Sequence, residues 1–266
     1  NFFERLQEAS RHYAGNVPDF LRTHPVTTDR IAEARDRAEK YPVNKRKDMP
    51  LYHLMRAKLL VLVTDDKQQL LNMLQQMLED QHYRDERAIR YALALTLLAT
   101  RQTEGVQTQI DWLLANDGDR VIYRLLQASL TLLQNNLTAA MHVYEQALQV
   151  YPGDKMLGLN YAQTLLQHNV GQKAKAVLQS LPPDSNPQYY HLLAQSYQSI
   201  GEKAQAHFAM ANNYYLMGRT SLAVEQLKRA RRFVAPDDFY LASRIDARLR
   251  ELQKELRDEQ QVAKRQ

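Results

Sequence analysis

Small residues recur along this chain at the interval of a helix pair. Ala57, Ala92, Ala128, Ala162 and Ala194 stand at nearly even spacing, each within a stretch of helical apolar rhythm. A repeat of that length fits two antiparallel helices whose apolar faces are covered only by stacking on the next pair. Alanine at the contact lets the helices approach closely. Other classes are excluded in turn. With 8 Gly and 9 Pro in 266 residues, the chain has too few turn residues for a sandwich or barrel. No glycine-rich strand-to-helix turn is present for a nucleotide-binding α/β fold. Pro and Gly interrupt the pattern too often for a long coiled coil. The predicted class is all-α: a solenoid of antiparallel helix pairs.

The interval is centred on the roughly 34 residues of the tetratricopeptide repeat, and the signature positions follow it. The unit 121–154 carries Ala140, Tyr144, Ala147 and Pro152 in its second half. The unit 155–186 carries Ala162, Leu165, Ala174, Leu178 and a Pro182-Pro183 stop. Over 187–236, Ala211 follows Ala194 at only half the usual interval, so one helix closes one unit and opens the next. Two degenerate units are predicted at 49–82 and 84–116. Repeats thus occupy 49–236, after a linker at 41–48. A capping helix over 237–259, within a last segment 237–266, sets Ile245, Leu249, Leu252 and Leu256 on one stripe, with a frayed end beyond it.

Tetratricopeptide stacks line one wall with the first helix of each unit. Projecting the register onto that wall gives a candidate binding groove of Gln163, His191, Gln195, Gln198, Phe208, Asn212 and Tyr215. No Lys or Arg falls on the projected positions, so a clamp for a peptide carboxylate is not expected there. Amides and aromatic rings suit extended or unfolded chain, whose backbone bonds to Gln and Asn.

Charge narrows the partners. The formal net charge is +5, and 11 Lys/Arg against 7 Asp/Glu between Lys228 and Gln266 supply nearly all of the excess. The rest is close to neutral, without a basic stripe, so no nucleic-acid partner is expected. The longest apolar run, Leu59 to Val63, is far short of the ~20 residues of a membrane span. With 0 Cys, thiol catalysis and disulfides are excluded. The chain starts at Asn1 inside a helical pattern and without Met, and reads as a piece of a longer protein.

Residues 1–40 stand outside the repeat. They contain Phe2-Phe3-x-x-Leu6, Pro18-x-Phe20-Leu21-x-Thr23-His24-Pro25 and Arg30-Ile31. This succession resembles the closing segment of the zinc metallopeptidases of the Ste24/HtpX type. The segment 1–40 would then be the last helices and loop of a peptidase domain. The family's HExxH helix, which supplies two zinc-binding His and a Glu base, is not in this chain. Glu79-x-x-His82 and His142-x-x-Glu145 are expected to be surface pairs. The fragment alone should therefore be inactive.

A peptidase of this type joined to such repeats implies a periplasmic zinc metalloprotease and chaperone. It would assist the assembly of outer-membrane β-barrel proteins, or degrade their stalled forms. Its partners would be those clients, the barrel assembly machinery and its own peptidase domain. The repeats would be the docking region. The alternative is a free-standing tetratricopeptide adaptor with no enzymatic activity.

The resemblance also singles out His24. Pro25 biases it toward extended backbone, which limits where the ring can point. Within the family's architecture two roles are available. As a hydrogen-bond donor His24 would stabilise the oxyanion of peptide hydrolysis. As a fourth zinc ligand it would displace the catalytic water and hold the enzyme latent. The second is favoured, because a peptidase working beside half-folded clients must be restrained. His24→Ala in the longer protein should then raise proteolysis of a test substrate, whereas the first role requires a fall.

Overall fold

A computed structural model describes residues 49–182 and 185–263, with Ala32, Asp36 and Arg37. His24 and its motif lie outside the described residues. The chain divides into two units, Asn1–Pro50 and Leu51–Gln266. The second holds the repeats.

Twelve α-helices and no strand occur among the described residues. They follow as α1 (Pro50–Val63), α2 (Lys67–Glu79), α3 (Glu86–Ala99), α4 (Val106–Asp117), α5 (Val121–Leu133) and α6 (Leu137–Val150). After these come α7 (Lys155–Gln167), α8 (Gly171–Ser180), α9 (Pro187–Ser199), α10 (Lys203–Leu216), α11 (Thr220–Phe233) and α12 (Phe239–Ala263). The last helix continues past the expected stop at Glu259.

Short polar side chains start the helices. Asp66, Asp85, Asn136, Asp154 and Asn186 each accept a backbone N–H of the first turn, satisfying a donor that the helix leaves without a partner. The helix ends are more informative. Gln81, Arg101, Asn135, Asn169, Gly201 and Gly218 all lie at φ between 53° and 82°. Each follows the last helical turn, and the next amide bonds back to a carbonyl five positions earlier, as in Val170 N to Leu165 O at 2.8 Å and Arg219 N to Tyr214 O at 2.9 Å. From Arg101 to Gly201 the left-handed positions recur in step with the alanines, and Gly218 then follows at half the interval.

From α2 onward consecutive helices pack on one another, and the first helices of successive pairs stack directly: α3 on α5, α5 on α7, α7 on α9. Ala92, Ala128, Ala162 and Ala194 are at most 3% exposed on this stack. Two helical glycines are required by contact. A Cβ on Gly171 would fall 1.8 Å from Ser199 Oγ, and one on Gly158 would fall 2.5 Å from Leu181 Cδ2. From α9 onward the hairpins run on without a break, and α10 packs heavily on both α9 and α11.

Three apolar clusters result. One fills α1 to α5, the second runs from Ala128 to Ala209, and the third joins α10, α11 and α12 around Leu227, Ile245 and Leu252. Helices α5 and α10 each wall two clusters, with Leu126 and Ala128, or Ala209 and Ala211, facing different cores.

A carboxylate ties α3 to the α4–α5 corner. Asp117 accepts from Arg120 Nε at 2.5 Å, Tyr123 Oη at 2.7 Å and Arg87 Nη1 at 2.9 Å, with its side chain 5% exposed. Burial alone would raise its pKa. The hydrogen bonds from Arg120, Tyr123 and Arg87 outweigh burial and bring it down from 3.8 to about 2. Because the folded value is depressed, the stabilisation is complete above the unfolded pKa and is lost as pH falls through the folded one. Asp117→Ala should therefore cost about 2–3 kcal/mol at neutral pH. In urea melts the gap from the parent should close as pH drops from about 4 to about 2.

Candidate functional site

A polar groove of about 810 Å³ is lined by α7, α9, α10 and α11. Helix α7 contributes Gln163, Leu166 and Gln167, and α9 contributes Gln188, His191, Leu192, Gln195 and Gln198. Helix α10 adds His207, Met210 and Tyr214, and α11 adds Gln226. Six of the lining residues are glutamine, and none is Asp, Glu, Lys or Arg.

The local sequence explains this surface. On α9, Leu192, Leu193, Ala194 and Ser196 turn inward and are buried, which leaves His191, Gln195 and Gln198 exposed on the outer side. Ser196 Oγ satisfies itself on Leu193 O at 2.7 Å, so no polar demand from the core reaches the groove. Asn213 anchors the entry: its side chain donates to Pro187 O at 2.8 Å and pins the start of α9 to α10. One wall is braced by His207, whose Nδ1 lies 2.7 Å from Gln226 Oε1 and whose ring stacks on Phe233 at 5.4 Å.

Of the residues expected from the register, the structure brings Gln163, His191, Gln195 and Gln198 together here. Phe208, Asn212 and Tyr215 lie on a different face of α10. Arg244 covers the Phe208 ring at 5.2 Å, Arg248 covers Tyr215 at 4.3 Å, and Asn212 donates to Phe208 O at 3.3 Å. Both arginines come from α12, so the last helix gives these rings a cationic partner. The register missed His207, Met210, Tyr214 and Gln226. The signal available was the i, i+3, i+7 spacing of the first three, one face of a helix that carries signature residues of two units.

The paired acidic and histidine residues are structural or exposed. Glu145 accepts from Tyr161 Oη at 2.8 Å and pairs with Lys173, clamping α6, α7 and α8. Hydrogen bonds from Lys173 and Tyr161 hold its pKa below the ordinary carboxylate value. Glu79 and His82 are exposed. Among the described residues no group of three His, Asp or Glu could hold a metal ion. No helix there is long and apolar enough to cross a membrane.

Comparison with known proteins agrees with the repeat architecture. The tetratricopeptide repeat family model matches residues 131–196. Over 255 residues the chain is 28% identical to the beta-barrel assembly-enhancing protease of Escherichia coli strain K12, covering 94% of this chain and 51% of that protein. The protein of the same name from Yersinia pestis is 26% identical over 259 residues, covering 96% and 52%. A solved thermophilic TPR protein from Thermus thermophilus aligns with a TM-score of 0.39 and 18% identity, over 74% of this chain and 97% of that one. The chain spans about half the length of the curated relatives it matches. The described residues are all helical and carry tetratricopeptide-type repeats, and the chain is similar along nearly its whole length to beta-barrel assembly-enhancing proteases.

Proposed function

We propose that this chain is the docking part of a longer protease that handles outer-membrane β-barrel proteins, and that the glutamine groove holds client chain in extended form. The observation that carries the reading is the groove itself, with six glutamines, two histidines and no fixed charge over about 810 Å³. An unfolded or strand-like segment exposes backbone N–H and C=O groups that a carboxamide can meet as both donor and acceptor. A lining without ions places no demand on the client's charge, which suits capture of many sequences. The names of the relatives point to β-barrel assembly, and the outer-membrane client class follows from the resemblance carried by residues 1–40.

The finer parts of the proposal follow from the resemblance carried by residues 1–40. The longer protein is a periplasmic zinc metalloprotease and chaperone, its zinc held chiefly by residues outside this chain. The described residues do not fit a zinc site, so no catalytic step is assigned to them. A further feature suits burial against another part of such a protein. Met49 and, on α1, Leu51, Tyr52, Leu59, Leu62 and Val63 are each at least 47% exposed, more apolar surface than the end of a finished stack leaves bare.

The test is capture of a fluorescently labelled, urea-unfolded outer-membrane β-barrel protein, read by anisotropy. Replacing Gln163, Gln195 and Gln198 together by Ala should weaken capture by roughly tenfold. All three are exposed, so the thermal midpoint should stay within a few degrees of the parent. Affinity should change little between about 50 mM and about 0.3 M salt, since no lining charge is there to be screened. Unchanged capture by the triple variant, or a steep salt dependence, removes the groove reading. Asn213→Ala supplies the contrast: it should cost about 1–3 kcal/mol of stability by unpinning α9.

A further inference from the structure

A second cavity, of about 560 Å³, lies between α1, α2 and α3, and unlike the groove its lining carries charge: aliphatic residues make up half of it, and His53, Gln81, His82, Tyr83, two arginines and one aspartate the rest. Its floor is aliphatic, built from Ala57, Leu74, Met77, Ala88, Ile89 and Ala92. The three alanines create the space, because each ends at Cβ where a larger side chain would close the gap. Leu60 forms part of the wall and is still 38% exposed. At the edge stand Arg56 and Arg84, both exposed. No ion pair among the described residues involves either of them. The one carboxylate in the lining, Asp85, is already committed: it accepts from the Arg87 backbone N–H at 3.0 Å and pairs with the Arg87 guanidinium at 2.7 Å.

We propose that this cavity binds a single-chain amphiphile with an anionic head, of the fatty-acid class. The aliphatic floor takes the hydrocarbon, and Arg56 and Arg84 take the head. The volume is that of a small-molecule site. Guanidinium groups pair well with carboxylate, which they meet through two parallel N–H donors. A polypeptide is the poorer fit. It would bring a backbone that needs partners along its whole length, which the aliphatic half of the lining does not supply.

Titration calorimetry of the chain with decanoate, kept below micelle formation, tests the assignment. A single saturable site is expected, with affinity rising by about fourfold per added methylene from hexanoate to decanoate. Arg56→Gln with Arg84→Gln should weaken decanoate by at least about tenfold. Both side chains are exposed, so the fold should be kept, as circular dichroism will show. Ala88→Phe, which fills the floor, should abolish binding; should it fail to fold, the chain-length series and the arginine pair still decide. Acetate binding as tightly as decanoate would overturn the proposal. So would an affinity for decanoate that the arginine pair leaves unchanged, or displacement of decanoate by a peptide ending in leucine at lower concentration.

Discussion

The hairpins that turn at Gln81, Arg101, Asn135, Asn169, Gly201 and Gly218 are each closed by one amide. It lies two positions past the helix cap and reaches back to a carbonyl in the last turn. The bond satisfies a carbonyl that the helix leaves without an intrahelical partner, and it fixes the direction in which the chain turns back. Once that direction repeats, the first helices fall side by side. Alanine then becomes the residue they need: at Ala128 or Ala162 a larger side chain would meet the next helix at full packing density. The groove follows from the same geometry. Two of its walls are faces of α7 and α9, helices that end at the turns of Asn169 and Gly201, neither of which lines it.

The stacking was readable in the sequence because it depends on residue size, and the alanine spacing states it directly. The turns were harder to read. Gly201 and Gly218 announce a left-handed position, and Asn135 and Asn169 tolerate one, but Arg101 and Gln81 carry no such mark. Their conformation is imposed by the hairpin, at a local cost that the back-bond offsets. The groove was legible on α7 and α9, where one register applies. On α10 it was not. That helix meets α9 with one face and α11 with another, and Ala209 and Ala211 belong to different cores. Projection from Ala211 selects Phe208, Asn212 and Tyr215, whereas packing on α9 sends His207, Met210 and Tyr214 into the groove. The arginines of α12 could not be assigned to those rings from sequence, since helix spacing says nothing about what a distant helix lays across them.

The two openings divide the chemistry of the array. Between α7 and α11 the lining is rich in amides and carries no fixed charge; between α1 and α3 aliphatic residues share the lining with two guanidinium groups and other polar side chains. Both arise where first helices with small contact residues leave room, so the scaffold is common and the side chains differ. In tetratricopeptide arrays the contact positions are constrained by packing, while the outer positions are free to vary. Gln195 and Arg56 occupy such free positions, which is how one framework presents unlike surfaces a few helices apart.

Helices α5 and α10 belong to two cores each, and this bears on how the array comes apart. In a stack whose cores were sealed from one another, each block would open alone. Here an excursion that frees α10 strips one wall from the cluster holding α7 to α9 and another from the cluster holding α12. The packing of α9 and α11 is thus linked through a helix that neither owns, and the shared wall favours opening of the two blocks together. The same wall on α5 couples the early pairs to the middle ones. A tug on the last helix would be felt, through two shared partitions, as far as α3.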